Sequence, residues 1–142
     1  MATLPPVTRP FRFDLPALER LLREAGLANT GLPEALDDYL VAREGERLVG
    51  AVGVAYHAPV AVLHALAVTP PARGRGIGRA LMDAMRADAA RVGARYLLVP
   101  AGASDRYFER LGYAPLAGDA LAAAQAAGLP ASETAYLARA VE

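Results

Sequence analysis

Apolar residues change period several times along this chain, and each change marks an element. Leu15, Leu18, Leu21, Leu22 and Ala25 recur at helical spacing, behind Asp14 as a candidate N-cap and ahead of Gly26 as a stop signal. Leu27 to Asp38, with Asn29, Gly31 and Pro33, reads as a loop and a short helix. Tyr39 to Arg43 and Arg47 to Tyr56 are apolar runs joined by Glu44-Gly45-Glu46, which predicts a hairpin. Val60 to Val68 is a third strand, apolar enough to predict burial on both faces, and Thr69-Pro70-Pro71 ends it.

From Gly76 the period lengthens: Ile77, Leu81, Ala84, Met85, Ala89 and Val92 form one face of a predicted helix that stops at Gly93. A strand over Arg95 to Pro100 follows, then a short helix over Ser104 to Leu111 ended by Gly112, and the start of a strand at Tyr113 to Leu116. A helix after Asp119 and a last strand over Thr134 to Val141 complete the pattern. A helical lead-in, an antiparallel meander and then alternating strands and helices predict an α/β fold, a mixed, mostly antiparallel sheet flanked by helices. With 142 residues, no repeat and no internal linker, one domain over 1–142 is expected, preceded only by a Pro-rich, partly extended lead-in.

Composition narrows the chemistry. Fifteen basic and fifteen acidic residues cancel, so no long-range field draws the protein to nucleic acid or to an anionic membrane, and any bound anion must be held locally. All the cations are Arg, which removes a Lys nucleophile or Schiff base. Without Cys there is no thiolate nucleophile, disulfide framework or thiolate metal site, and two His residues make a metalloenzyme a poor expectation. The N-terminal residues form no signal peptide and no apolar run reaches the roughly 20 residues of a membrane span, so a cytoplasmic protein is expected.

The candidate site is the turn Arg73-Gly74-Arg75-Gly76-Ile77-Gly78-Arg79, between the third strand and the long helix. A helix N-terminus leaves its first N–H groups unpaired and carries partial positive charge, glycines let phosphate oxygens approach the backbone, and Arg73, Arg75 and Arg79 add charged donors. A tight strand-to-helix turn with solvated arginines would use the same residues. Arg79 stands where a dinucleotide fingerprint starting at Gly74 needs a small residue, and a P-loop needs a Lys that the chain lacks. What remains is Arg-x-x-Gly-x-Gly.

That pattern, behind Leu66-Ala67-Val68-Thr69-Pro70 and ahead of Tyr107-Phe108-Glu109-Arg110-Leu111-Gly112-Tyr113, resembles the GCN5-related N-acetyltransferase (GNAT) family. The resemblance covers nearly the whole chain and implies the GNAT fold with splayed central strands. It also implies transfer of acetyl from acetyl-CoA to a primary amine. The backbone of Leu66, Ala67 and Val68 would hold the pantetheine arm, Gly74 to Arg79 the pyrophosphate, and Pro100-Ala101-Gly102 would form the partner side of the splay. Asp14-Leu15-Pro16 to Gly26-Leu27, Leu48-Val49-Gly50 and Leu129-Pro130-Ala131-Ser132 resemble a bacterial branch found near arsenic-resistance genes and related to amino-acid N-acetyltransferases. A small amine such as an amino acid is then the expected substrate, with a protein or peptide amine, or a non-enzymatic acyl-CoA sensor, as alternatives. The resemblance is compatible with a homodimer.

Direct attack by the amine needs a base for the amine and an acid for the leaving thiolate, but no protein nucleophile. Many family members donate the proton from a Tyr in the short helix, but here that position is Phe108, and Tyr107 lies roughly 100° around the helix. Tyr107 is a candidate acid or a packed rim residue. His64, on the strand leading to the turn and on the same side as Leu66 and Val68, is a candidate base or a buried structural histidine. His57 reads as an exposed turn residue, and Asp37 and Asp38 as surface charge near the predicted substrate loop.

Overall fold

A computed structural model describes residues 3–28, 30–132 and 134–142. Asn29, part of the predicted loop, lies outside them. Among the described residues seven strands are seen: β1 (Val7–Thr8), β2 (Tyr39–Glu44), β3 (Arg47–His57), β4 (Val60–Val68), β5 (Tyr96–Pro100), β6 (Ala114–Pro115) and β7 (Tyr136–Ala140). The α-helices among the described residues are α1 (Leu15–Glu24), α2 (Ile77–Arg91), α3 (Asp105–Arg110) and α4 (Gly118–Ala126). The strand order is β1-β2-β3-β4-β5-β7-β6. The β1–β2, β2–β3, β5–β7 and β6–β7 ladders are antiparallel and the β4–β5 ladder is parallel, so the sheet is mixed and mostly antiparallel, as the alternation of elements predicts.

Contacts divide the chain into two compact units. The first comprises the chain up to Val54 with His64–Met85. Its core joins Leu18, Leu21 and Leu22 of α1 to Tyr39, Val41, Leu48, Ala51, Ala65 and Ala67 of the strands. The leucine spacing makes α1 amphipathic, with Glu19, Arg20, Arg23 and Glu24 exposed on its other side. Burying three leucines contributes about 1.5–3 kcal/mol each. The second unit comprises Ala55–Leu63 with Arg86–Glu142. There Val60, Leu98 and Leu116 pack with Ala123 and Ala124 of α4.

Several expectations change in detail. Asp14 does not cap α1 with its side chain: it closes a 3-10 turn, Arg12–Asp14, and has helical φ and ψ. Its buried carboxylate instead accepts from the Phe11 N–H at 2.7 Å and from both terminal nitrogens of Arg43 at 2.9 and 2.7 Å. The hairpin turn is only Gly45-Glu46, because Glu44 is still paired with Arg47. β4 is covered on both faces only at its start, where Val60 is buried with Val62 packed against the same cluster; beyond it Ala61, Leu63, Ala65 and Ala67 are buried on one face, whereas His64 is exposed and Val62, Leu66 and Val68 are half-buried on the other. Helix α2 stops before Val92, which is 53% exposed, and Met82 joins its buried face. The lead-in contributes β1, an edge strand of two residues on β2.

Candidate functional site

In the first unit, the site begins at a β-bulge. Ala42 pairs with Gly50 and Arg43 with Leu48, leaving Val49 as an extra residue on β3. The Val49 carbonyl accepts from the Thr69 N–H at 2.9 Å, fixing the point where the chain leaves β4. A 3-10 turn, Pro70–Ala72, follows, and its prolines suit a segment that donates few backbone hydrogen bonds. Arg73 then folds back, its Nε donating to the Val68 carbonyl at 3.0 Å.

Gly74 and Gly76 have φ of 79° and 89°, in the left-handed region that other residues adopt at a cost of about 1–2 kcal/mol. They reverse the chain twice within three residues and deliver it into α2 at Ile77, which is buried and anchors the helix start. The Gly76 carbonyl accepts the first bond of the helix, from the Ala80 N–H at 3.0 Å. Gly76, Ile77, Gly78 and Arg79 therefore occupy the positions whose N–H groups an α-helix leaves without intrahelical partners. A Cβ built on Gly74 would meet nothing within 4 Å, and one on Gly76 only Leu4 Cδ2 at 3.9 Å. The cradle is thus open, as an entering phosphate requires.

Helix α2 sits close to the sheet because Gly50 has no side chain. A Cβ there would come within 2.9 Å of Leu81 Cδ1 and 3.2 Å of both Ile77 Cγ2 and the Ala67 carbonyl oxygen. On β4, Ala65 and Ala67 belong to the cluster with α1, so alternation turns His64, Leu66 and Val68 to the opposite face. The β4–β5 ladder covers Val60–Val62 against Tyr96–Leu98, and its register goes no further. From Leu63 onward the backbone groups of β4 on that side lie outside the ladder.

Of the three arginines, Arg73 and Arg79 are exposed, while Arg75 is half-buried and bound. Its Nη1 and Nη2 donate to Glu44 Oε1 and Oε2 at 3.2 and 2.6 Å. The hydrogen bonds from Arg75 hold the Glu44 carboxyl below its usual range, helped by the charge of Arg47, and the same bonds raise Arg75. The sequence pattern does not expose Glu44 as part of this site, since 31 residues separate the partners.

In the second unit, α3 carries Tyr107 and Phe108. Phe108 is buried and packs edge-on against Tyr113 at 5.9 Å, and Tyr107, half-buried, packs edge-on against Phe108 at 5.3 Å. The helix is tied at both ends. Asp105 Oδ1 accepts from the Gly102 N–H at 2.7 Å, and Arg139 donates to the Leu111 carbonyl. His57 is exposed at the end of β3, and of the acidic pair Asp37 is exposed and Asp38 half-buried. Among the described residues no group of three or more His, Cys, Asp and Glu could hold a metal ion, and no helix is long and apolar enough to cross a membrane.

The glycine turn, its open cradle and the strand before it lie within residues 35–115, which match the family model described as acetyltransferase (GNAT) domain. The chain belongs to the GNAT acetyltransferase family. No curated protein matches it in sequence. Solved structures resemble its GNAT fold. N-acetylglutamate synthase from Neisseria gonorrhoeae, complexed with coenzyme A and N-acetyl-glutamate, is 18% identical with a TM-score of 0.78, the match covering 100% of this chain and 36% of that one. Rv2747 from Mycobacterium tuberculosis, in complex with CoA, is 19% identical with a TM-score of 0.75, covering 96% and 99%. YhbS from Escherichia coli, a GNAT family N-acetyltransferase in complex with CoA, is 18% identical with a TM-score of 0.67, covering 100% and 84%. The present chain spans about a third of the length of the Neisseria protein.

Proposed function

We propose that this GNAT protein works as one domain that transfers acetyl from acetyl-CoA to the primary amine of a small metabolite, an amino acid or a similar compound. The amine attacks directly within a ternary complex. The observation that carries the reading is the open cradle between Gly74 and Arg79, placed at the end of a strand whose backbone leaves its ladder after Val62. The N–H groups of Gly74 to Arg79 hold the pyrophosphate, supported by Arg73 and Arg79. Main-chain groups of Leu66, Ala67 and Val68 hold the pantetheine arm; the Val68 carbonyl already accepts from Arg73, so that bond sets the end of the strand. Acetyl-CoA supplies the activated thioester, and a chain without Cys or Lys loses nothing by lacking a nucleophile.

His64 is exposed on the strand that enters the site and is assigned as the base that takes the proton of the amine. Tyr107 is assigned as the proton donor to the leaving thiolate. The solved Neisseria structure, which contains N-acetyl-glutamate beside coenzyme A, supports a small-metabolite acceptor for this fold. A second reading, an acyl-CoA sensor without turnover, is favoured by one observation: Phe108, buried at the usual Tyr position, cannot donate a proton. A homodimer remains part of the proposal on the family resemblance, and a cytoplasmic location on the sequence reading.

The deciding experiment measures acetyl-CoA binding and free-thiol release across a library of amino acids, other small amines and peptides, for wild type and Gly76→Glu. Turnover with a small amine, together with loss of binding in the variant, is expected. Peptide-only turnover would move the acceptor to protein amines, and binding without turnover would favour the sensor. Undiminished binding by Gly76→Glu would sink the placement of the cofactor.

A further inference from the structure

The Glu44 carboxylate occupies both terminal nitrogens of Arg75, at 3.2 and 2.6 Å, and Arg75 stands between the two positive-φ glycines of the turn. We propose that Glu44 is an affinity-setting residue, a carboxylate placeholder that holds Arg75 until the cofactor pyrophosphate takes the guanidinium from it. The inference rests on the reading of the turn as a pyrophosphate cradle, and it assigns a role to a residue of β2 outside the motif.

Three observations support exchange rather than a permanent structural pair. Both side chains are open to water, 31% and 41% exposed, and an ion pair in that setting is weakly held and screened by salt. The Arg75 fork is already presented end-on to an oxyanion, the geometry by which guanidinium groups take phosphate as readily as carboxylate. A pyrophosphate carries more charge than one carboxylate, and it would also meet the N–H groups of Gly76 to Arg79, which Glu44 serves none of in this structure. Arg73, by contrast, spends its Nε on a backbone carbonyl, that of Val68, whereas both terminal nitrogens of Arg75 rest on a side chain that can swing away.

The cost of this arrangement is affinity. The carboxylate must release Arg75 before that arginine can contribute. Glu44→Gln keeps the shape of the side chain and removes its charge.

The test measures coenzyme A binding by calorimetry at low salt for wild type, Glu44→Gln, Arg75→Ala and the double variant, with thermal melting of each to confirm folding. Glu44→Gln is expected to bind coenzyme A about two- to five-fold more tightly, the range by which releasing an exposed ion pair changes an equilibrium. Arg75→Ala is expected to bind more weakly, and adding Glu44→Gln to it should gain almost nothing. Equal or weaker binding by Glu44→Gln would overturn the proposal, and so would a full gain in the double variant, because Glu44 would then act by repulsion alone. Wild type that binds no coenzyme A at all would instead sink the cofactor reading on which the proposal stands.

Discussion

Gly50 carries the seat of the glycine turn, and replacing it tests whether α2 is held where the sheet puts it. Gly50→Ala adds a methyl whose nearest neighbours would be Leu81 Cδ1 at 2.9 Å, Ile77 Cγ2 at 3.2 Å and the Ala67 carbonyl oxygen at 3.2 Å. Apolar carbons rest at about 3.5–4.0 Å, so Leu81 must retreat by about 0.7 Å, yet it is fully buried and the Ala67 oxygen is backbone. Overpacking of this kind costs about 1–3 kcal/mol, while Gly→Ala at an ordinary strand φ returns about 0.4–1 kcal/mol through the unfolded chain. The clash wins, leaving about 0.5–2 kcal/mol of destabilisation. Calorimetric melting should fall by a few degrees, about 2–5 °C per kcal/mol for a domain of this size.

Because Ile77 opens α2, the same shift misaligns the N–H groups of the turn, and coenzyme A affinity should drop by about five-fold, roughly 1 kcal/mol of lost alignment. Leu81→Ala supplies the control. Alone it costs about 2–5 kcal/mol through the cavity it leaves, but in that background the Gly50→Ala methyl has space, so the pair should be less destabilising than the sum by at least about 0.5 kcal/mol. A Gly50→Ala protein that melts at or above wild type, or strictly additive effects with Leu81→Ala, would show that α2 does not bear on Gly50.

Three further perturbations follow from the same packing. The Asp14 carboxyl is lowered chiefly by its hydrogen bonds from Arg43, so the stability it contributes is fully present above the usual carboxylate range and is lost as pH falls through its folded value. Asp14→Asn should cost about 2 kcal/mol at pH 7 and flatten the acid limb of the stability profile, and an unchanged limb would refute the assignment. The Tyr39 hydroxyl, raised to about 12 by burial and donating to the Thr30 carbonyl at 2.7 Å, should hold its proton through the pH where exposed tyrosines ionise. Its contribution to stability is complete below about 10 and is lost as pH rises toward 12; absorbance titration should show a phenol lagging the rest that Tyr39→Phe removes. Gly112 has φ of 94° and would place a Cβ 3.1–3.3 Å from the Arg139 guanidinium, so Gly112→Ala should lower the melting temperature through both strain and displacement of that helix-end contact. Arg139→Ala should relieve the steric part, and a variant as stable as wild type would show that neither constraint operates.

Local periodicity was enough to read most of the fold. The leucines of α1, the meander, the glycine turn and the long helix each announce themselves within a window of a few residues, because the side chains that pack there are spaced by the geometry of the element itself. β1 escaped that reading because two residues of an edge strand, set among prolines, carry no period. The exposed stretch of β4 past Val60 escaped because, His64 apart, its residues are apolar on both sides, and composition cannot distinguish a strand covered twice along its whole length from one covered twice only at its start. Gly50 and Gly53 offered a signal, since glycine inside a strand marks close approach: a Cβ on Gly53 would lie 2.5 Å from the Tyr39 ring.

The glycine turn shows most clearly where local reading ends. Arg75 and the glycines are legible in their motif, but the partner of Arg75 depends on which residue of β2 reaches the turn, and that is a property of strand pairing. Strict alternation would put Leu48 and Ala51 on opposite faces of β3, yet both belong to the cluster with α1. The extra residue at Val49 reconciles them, restoring Leu48 to the core face while Gly50 still faces α2. The carbonyl of that extra residue, Val49, holds Thr69 at the end of β4. One inserted residue therefore sets the core face of β3 and the departure point of the chain toward Arg73. No period in the sequence encodes it, because a bulge exists only in the pairing of two strands.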